Sequence, residues 1–336
     1  MQTHRVPYLK MCLVIVSVLM FLWVIIAERK NRDCSKNLRD VEVGSPNHNK
    51  KKRRQEKIKI TAPPDNHESH NIKDYVLYPP NLCMQKNSST QLDYLIVIFS
   101  APKNFDRRNA IRETWASEIK EKSNSRTAFL LAKTENGKVQ HAIESEAYLH
   151  ADIIQGTHID HYRNLTLKAK MMMRWVLKHC PKVSFLIKCD DDTFVNVENL
   201  LKVMKNKRTD AIYGHLYANK RPYREPSSKW YVSKEEYNGI EYPPFVAGAF
   251  YVLGGSILRR LYDASEQEPF FWLEDVFLTG FVAEKAGVNR THESSITDEQ
   301  FSPVCLALKK AASHNIRAQA MRLFWYQIHY SMIKCL

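Results

Sequence analysis

No Cys-x-x-Cys pair occurs in the 336 residues, which removes zinc ribbons and thioredoxin-type redox sites from consideration. Internal repeats are absent too, so the chain is neither a solenoid nor a propeller. Cysteine is scarce, at seven residues. Cys12 sits in an apolar run, which leaves Cys34, Cys83, Cys180, Cys189, Cys305 and Cys335, and the sequence alone does not choose their pairing. Charge is missing altogether from Met11 to Ala27 (MCLVIVSVLMFLWVIIA), a run bracketed by Lys10 and Glu28-Arg29-Lys30. At ~1.5 Å per residue that run spans ~26 Å, short for a plasma membrane but suited to the thinner membranes of the early secretory pathway. A small-x-small cleavage site is also lacking at Ile25-Ile26-Ala27, which favours a retained anchor over a removed signal peptide.

What is present is basic on balance, with a formal charge of +14 and the run Lys50-Lys51-Lys52-Arg53-Arg54. Such a run invites a nucleic-acid reading. Its place argues against one, because residues 28 to 90 are rich in Lys, Asn, Asp, Glu, Ser and Pro, carry Ala62-Pro63-Pro64 and Tyr78-Pro79-Pro80, and show little apolar periodicity. That composition reads as an exposed stem. Arg5 and Lys10 are opposed across the apolar run by Arg29, Lys30 and Arg32, so charge does not set its orientation. The sequons Asn87-Ser88-Ser89, Asn164-Leu165-Thr166 and Asn289-Arg290-Thr291 are usable only in a lumen, which favours a type II anchor. The expected organisation is a cytoplasmic tail at 1–10, an anchor at 11–27, a lumenal stem at 28–90 and a globular domain at 91–336.

From Gln91 the pattern changes: Leu92 to Phe99 reads as a buried strand and Arg107 to Ile119 as a helix. A strand at Thr127 to Ala132, a helix at Val139 to Tyr148 and a short strand at Asp152 to Ile154 follow. Leu165, Ala169, Met172 and Val176 recur at helical spacing, Asn164 is placed to cap that helix, and Pro181 closes it. The methionines there are core. Next come the apolar run Val183 to Ile187, a helix at Val197 to Met204 and a strand at Ala211 to Tyr213. Strands alternating with helices imply an α/β sheet that is mostly parallel.

The acids Asp190-Asp191-Asp192 stand where the run Val183 to Ile187 ends. Ligands of open α/β sheets gather at the carboxyl ends of strands, and clustered carboxylates there call for a cation. A hard divalent metal holding a phosphorylated ligand supplies one; a solvated acidic turn is the plain alternative. An EF-hand is excluded, since Phe194 and Val195 occupy positions where that loop needs an oxygen ligand and glycine.

Five blocks, in order, resemble those of the β1,3-glycosyltransferases, the family of β1,3-galactosyl- and β1,3-N-acetylglucosaminyltransferases. Arg107 to Trp115 (RRNAIRETW) resembles RRxAIRxTW, Asn164 to Lys168 resembles NLTLK, and Lys188 to Asn196 (KCDDDTFVN) resembles KxDDDxFVN. Tyr242 to Tyr251 (YPPFVAGAFY) resembles YPPYxxGxxY, and Glu274 to Gly280 (EDVFLTG) resembles EDVYxxG. The resemblance covers roughly 92 to 320. It implies a GT-A-like, Rossmann-type mixed sheet with flanking helices behind the anchor, on a single-pass type II Golgi membrane protein. It implies a metal-dependent inverting transferase that moves galactose from UDP-galactose to a sugar acceptor in β1,3 linkage, with UDP-N-acetylglucosamine as the alternative donor. A catalytically silent lumenal lectin or scaffold is the alternative of another class.

The resemblance also assigns residues. Manganese, or magnesium, is held by Asp192 with Asp190 and by His314, nine residues after Cys305, while Asp190 and Asp191 face the nucleotide or metal-bound water. Arg108 and Arg112, one helical turn apart, contact the nucleotide, support the metal loop or pair with surface acids. Lys168 reaches a phosphate or balances the acids. Gly248 lets the sugar ring approach the backbone. Asp275 is the general base and Glu274 orients its neighbours. Lys229-Trp230-Tyr231 offers aromatic faces to an acceptor on a glycolipid or glycoprotein. Gly280 to Ala283 lacks the cysteine that the family often places after EDVYxxG, so Cys335 becomes the proposed partner of Cys305, and Cys189 is read as a free buried thiol. A Cys83–Cys180 bond is expected because Cys83 precedes the opening strand and Cys180 ends the helix before the aspartates.

Overall fold

The computed structural model describes residues 75–84, 91–297 and 304–330, all within one compact unit that begins at His67. The anchor at 11–27, the sequon at Asn87 and Cys335 lie outside the described residues. Among those residues no helix is long and apolar enough to cross a membrane.

A central eight-stranded mixed sheet organises the domain. Its strands are β1 (Tyr75–Leu77), β2 (Tyr94–Phe99), β3 (Ser125–Lys133), β4 (Ile153–Ile159), β5 (Phe185–Asp190), β7 (Ala211–Tyr217), β8 (Phe245–Gly254) and β9 (Asn289–His292), in the order β1-β4-β3-β2-β5-β8-β7-β9. The centre, β4 to β5, is parallel as expected. Beyond it β8 runs antiparallel to both β5 and β7. The sheet is therefore less parallel than its strand–helix alternation suggests. Strand β1, assigned to the stem from composition, pairs with β4 at the sheet edge, so the domain begins before Gln91. A disulfide joins Cys83 to Cys180, tying that edge segment to the end of the Leu165–His179 helix.

Side chains alternate across a strand, so a strand covered on both faces is apolar throughout. Leu95, Val97 and Phe99 of β2 pack with Met171, Met172, Met173 and Trp175 of the Leu165–His179 helix. Ile96 and Ile98 face the other way, onto Ile111, Trp115 and Ile119. The expected helix over 107–119 is two, Phe105–Glu113 and Trp115–Lys122, broken at Thr114, whose hydroxyl bonds the Ala110 carbonyl at 2.5 Å. Trp115 is fully buried, which is a packing role. The Val197–Met204 helix has the expected bounds, with Asn196 capping it through Asn199 N–H at 3.1 Å.

A second, three-stranded sheet consists of β10 (Ile296–Thr297), β11 (Ala312–Ser313) and β6 (Phe194–Val195), in the order β10-β11-β6. Pairing of β11 with β6 lays the late part of the chain beside the aspartates. The Ile316 amide donates to the Asp192 carbonyl at 2.8 Å and the Asn196 amide to the Ala311 carbonyl at 3.0 Å. These short strands deliver His314 to the site.

Candidate active site

Strand β5 ends in Asp190, and a turn closed by the Thr193 amide on the Asp190 carbonyl, at 3.1 Å, presents Asp191 and Asp192. The three acids then part company. Asp191 is buried and saturated: Ser100 Oγ donates to it at 2.7 Å, Asn104 Nδ2 at 2.9 Å and Arg107 at 2.8 Å. These three donors anchor the loop through Asp191, which is not a member of the group that could hold a metal. One ligand atom each from Asp190, Asp192 and His314 lies within 4.8 Å of the others.

That group fits a divalent cation. His314 Nε2 lies 3.1 Å from Asp192 Oδ1, near enough for an ion pair, yet this buried oxygen has no donor in hydrogen-bonding geometry. Two carboxylates and one imidazole suit a manganese- or magnesium-type ion that keeps further positions for a ligand. Burial opposes ionisation of Asp192, but His314 and Arg107, whose NH1 lies 3.2 Å from Asp192 Oδ2, outweigh it and hold the carboxyl below its ordinary value.

Arg108 and Arg112 do not reach the site as ligand contacts. Arg108 is 0% exposed and grips Glu146 with Nε at 2.9 Å and NH2 at 2.7 Å, while its NH1 bonds Ser100 Oγ at 3.0 Å and the Ala101 carbonyl at 2.9 Å. Through Ser100 it supports Asp191. Arg112 joins Glu146 at 2.6 Å and Asp152 at 2.8 Å. Lys168 is likewise buried, on Asp160 Oδ1 at 2.8 Å and the Ser100 carbonyl at 3.2 Å, so it balances a different acid from those at the cation site. Arg107, adjacent to Arg108 in the same block, is the arginine that touches Asp191 and Asp192.

Asp275 opens the π-helix Val276–Val282, a geometry common at functional sites. The Gly248 amide donates to its Oδ2 at 3.1 Å and the Val276 amide to its Oδ1 at 2.9 Å. Burial raises its pKa, and those two amides together with Lys188 pull the other way. A half-buried carboxylate aimed by two backbone donors can accept a proton. A Cβ on Gly248 would stand 3.3 Å from the Asp275 side chain, so glycine here makes room for the acid. Glu274 turns inward: burial pushes its pKa up to about 7, while Lys188 opposes the rise, and Tyr251 donates to its Oε1 at 2.6 Å.

Tyr162, which sequence reasoning missed, stands beside the acid. It is 46% exposed and meets Trp272 edge to face at 6.0 Å, and the pKa of its hydroxyl is raised first by burial and then by Asp275, with Trp230 pulling the other way. Of the aromatic block, Trp230 thus borders this side, half-buried, with Lys229 over its ring at 4.3 Å. Tyr231 is half-buried too, its amide on the Ser228 carbonyl at 3.0 Å. The only signal for Tyr162 was its place two residues before the NLTLK-like block.

The sequons differ in access. Asn164 precedes its helix without capping it, its Nδ2 instead bonding the Ile159 carbonyl at 2.9 Å, and Thr166 is buried with its hydroxyl on the Phe271 carbonyl at 2.7 Å. Asn289 is exposed on β9. Cys305 is disulfide-bonded, and its proposed partner lies outside the described residues. Cys189 is buried and free, its thiol pushed up by burial.

Comparison with known proteins places this geometry in a family. The galactosyltransferase family model matches residues 106–294. Beta-1,3-galactosyltransferase 5 of Homo sapiens is 35% identical over 246 residues, covering 70% of this chain and 78% of that protein. Beta-1,3-galactosyltransferase 1 of Mus musculus is 33% identical over 258 residues, covering 75% and 77%. Among solved structures, the galactosyltransferase LgtC in complex with donor and acceptor sugar analogs is a remote likeness, with a TM-score of 0.38 and 10% identity over 72% of this chain and 97% of that one. With the family model spanning more than half its length, the chain belongs to the galactosyltransferase family, the β1,3-glycosyltransferases whose blocks it carries, and is a hexosyltransferase.

Proposed function

We propose that this hexosyltransferase moves galactose from UDP-galactose to a hydroxyl of an acceptor glycan in β1,3 linkage, with inversion, as a GT-A-like domain behind a type II Golgi anchor. The observation that carries the reading is a base-competent carboxylate, Asp275, aimed by two amides, one of them from Gly248 of β8, the strand paired with β5, which ends in Asp190 of the three-residue cation group. Asp190, Asp192 and His314 would hold manganese, which when bound supplies Lewis-acid charge for a departing diphosphate. Asp275 takes the proton of the acceptor hydroxyl as it attacks the anomeric carbon, and UDP leaves from the opposite side in one displacement. Tyr162 and Trp230 supply apolar surface against which an acceptor ring packs while its hydroxyl meets Asp275. The uncharged run at 11–27 and the exposed sequon at Asn289 support the lumenal placement.

The test is UDP release by detergent-solubilised full-length protein with manganese, across UDP-galactose, UDP-N-acetylglucosamine and UDP-N-acetylgalactosamine, against a panel of terminal sugars. UDP-galactose should be consumed fastest, chelator should abolish release, and Asp275→Asn should lower turnover roughly 10²–10⁴-fold with nucleotide binding retained. Release from UDP-N-acetylglucosamine alone would reassign the donor. Sugar binding without release from any donor would leave a lectin.

A further inference from the structure

Lys188 is a charged group that the displacement above does not use. It lies within β5, where alternation sends Ile187 and Cys189 to one face and turns Lys188 toward the other, and its side chain is 2% exposed. Burying an ammonium is costly unless partners surround it. Here its Nζ lies 2.7 Å from Asp190 Oδ1, donates to the Gly248 carbonyl, and stands 3.7 Å from Glu274 Oε2. The ring of Phe99 lies 4.7 Å away and that of Tyr251 5.7 Å. Tyr251 is its cross-strand partner in register and donates to Glu274.

One ammonium therefore touches an acid of the cation group, the backbone at Gly248 that orients Asp275, and the acid next to Asp275. We propose that Lys188 is a positioning residue for the transfer, a buried strut that sets the separation between Asp190 of the cation group, at the end of β5, and the base at the start of the Val276–Val282 helix. Charge balance alone needs no bond to a backbone carbonyl. That bond gives the strut its direction, because Gly248 turns its carbonyl to Lys188 and its amide to Asp275. The inference rests on the transferase reading for its kinetic consequence only.

The experiment compares wild type, Lys188→Met, Glu274→Gln and the double variant, as purified full-length protein at pH 8, by thermal unfolding, turnover and backbone hydrogen exchange. Lys188→Met leaves buried acids without their cation and should lower the midpoint by about 5–10 °C. The double variant, which also lacks one of those acids, should recover most of that loss. Turnover should nevertheless stay about 10–100-fold down in both, with acceptor KM within about threefold of wild type. Peptides carrying Gly248 and Val276 should exchange faster in the double variant than in wild type. Recovery of turnover together with stability, or exchange at the wild-type rate in both peptides, overturns the proposal. If the wild type releases UDP from no sugar nucleotide, the transferase reading falls, and the exchange result alone decides whether Lys188 positions Gly248 and Asp275.

Discussion

At the scale of single residues, neighbouring acids are given different work by what surrounds them. Asp275 is half-buried and held by amide donors, whereas Glu274 points into the protein with Tyr251 and Lys188 for company. Burial raises the Glu274 pKa from its ordinary 4.5 to about 7. Between those values the folded protein keeps a proton that the unfolded chain has released, so folding loses stability as pH rises through that window. Urea unfolding at pH 5 and pH 8 should therefore show wild type falling relative to Glu274→Gln by on the order of 3 kcal/mol. An unchanged difference would mean that Glu274 is already ionised at pH 5. Gly248 makes a second prediction, because an added methyl 3.3 Å from Asp275 displaces that side chain by a few tenths of an ångström. Gly248→Ala should cost about tenfold in initial rate while the unfolding midpoint moves only slightly. A full-rate variant would show that the base tolerates the shift.

Among elements, the segment 218–244 between β7 and β8 has little regular structure yet is firmly held. Arg224 NH1 bonds the carbonyls of Val232 and Ser233, both at 2.8 Å, and NH2 those of Tyr237 at 2.7 Å and Gly239 at 3.1 Å. A planar fork serves several acceptors at once, and an ammonium on a flexible stem does not. Arg224→Lys should loosen the loop that carries Trp230, raising acceptor KM several-fold with donor KM unchanged, and trypsin should cut after Lys220 or Lys229 faster than in wild type. Equal KM values and equal cleavage would show that the loop is held from elsewhere. The same segment marks where sequence reading stopped. The Val197–Met204 helix was legible from its apolar residues alone, and the structure adds an Asn196 cap to the same bounds. By contrast β6 and β11 are two residues each, too short for any periodicity, and their pairing is what brings His314 to Asp192; only resemblance pointed there. Asp275 and Gly248 were visible as members of blocks, but their mutual contact was not. For Arg108 and Arg112 the sequence left nucleotide contact, loop support and acid pairing open, because their partner Glu146 stands in another helix with no local signal to announce it.

For the whole molecule, the bond between Cys83 and Cys180 closes a loop across a sequence separation of 97 and fastens the segment after edge strand β1 to the end of the Leu165–His179 helix. The Cys83→Ser/Cys180→Ser variant should lose about 2–5 kcal/mol of stability, seen as a lower midpoint, while turnover per folded molecule stays the same because neither cysteine joins the site. Reduced turnover at full folding would tie this edge to catalysis. Glycan mapping of protein from a secretory cell should find Asn289 occupied in preference to Asn164, whose amide and whose Thr166 hydroxyl are both engaged in the fold; occupancy confined to Asn164 would show that the glycan is attached before this packing forms. The pairing of β11 with β6 has a last consequence in time. A chain synthesised from its amino end presents Asp190 and Asp192 long before His314, and at ~5–20 residues per second the interval is on the order of ten seconds. Every strand of the central sheet precedes His314 in the chain, so a ribosome that stops just short of that residue leaves a protein with its central sheet and an incomplete cation group.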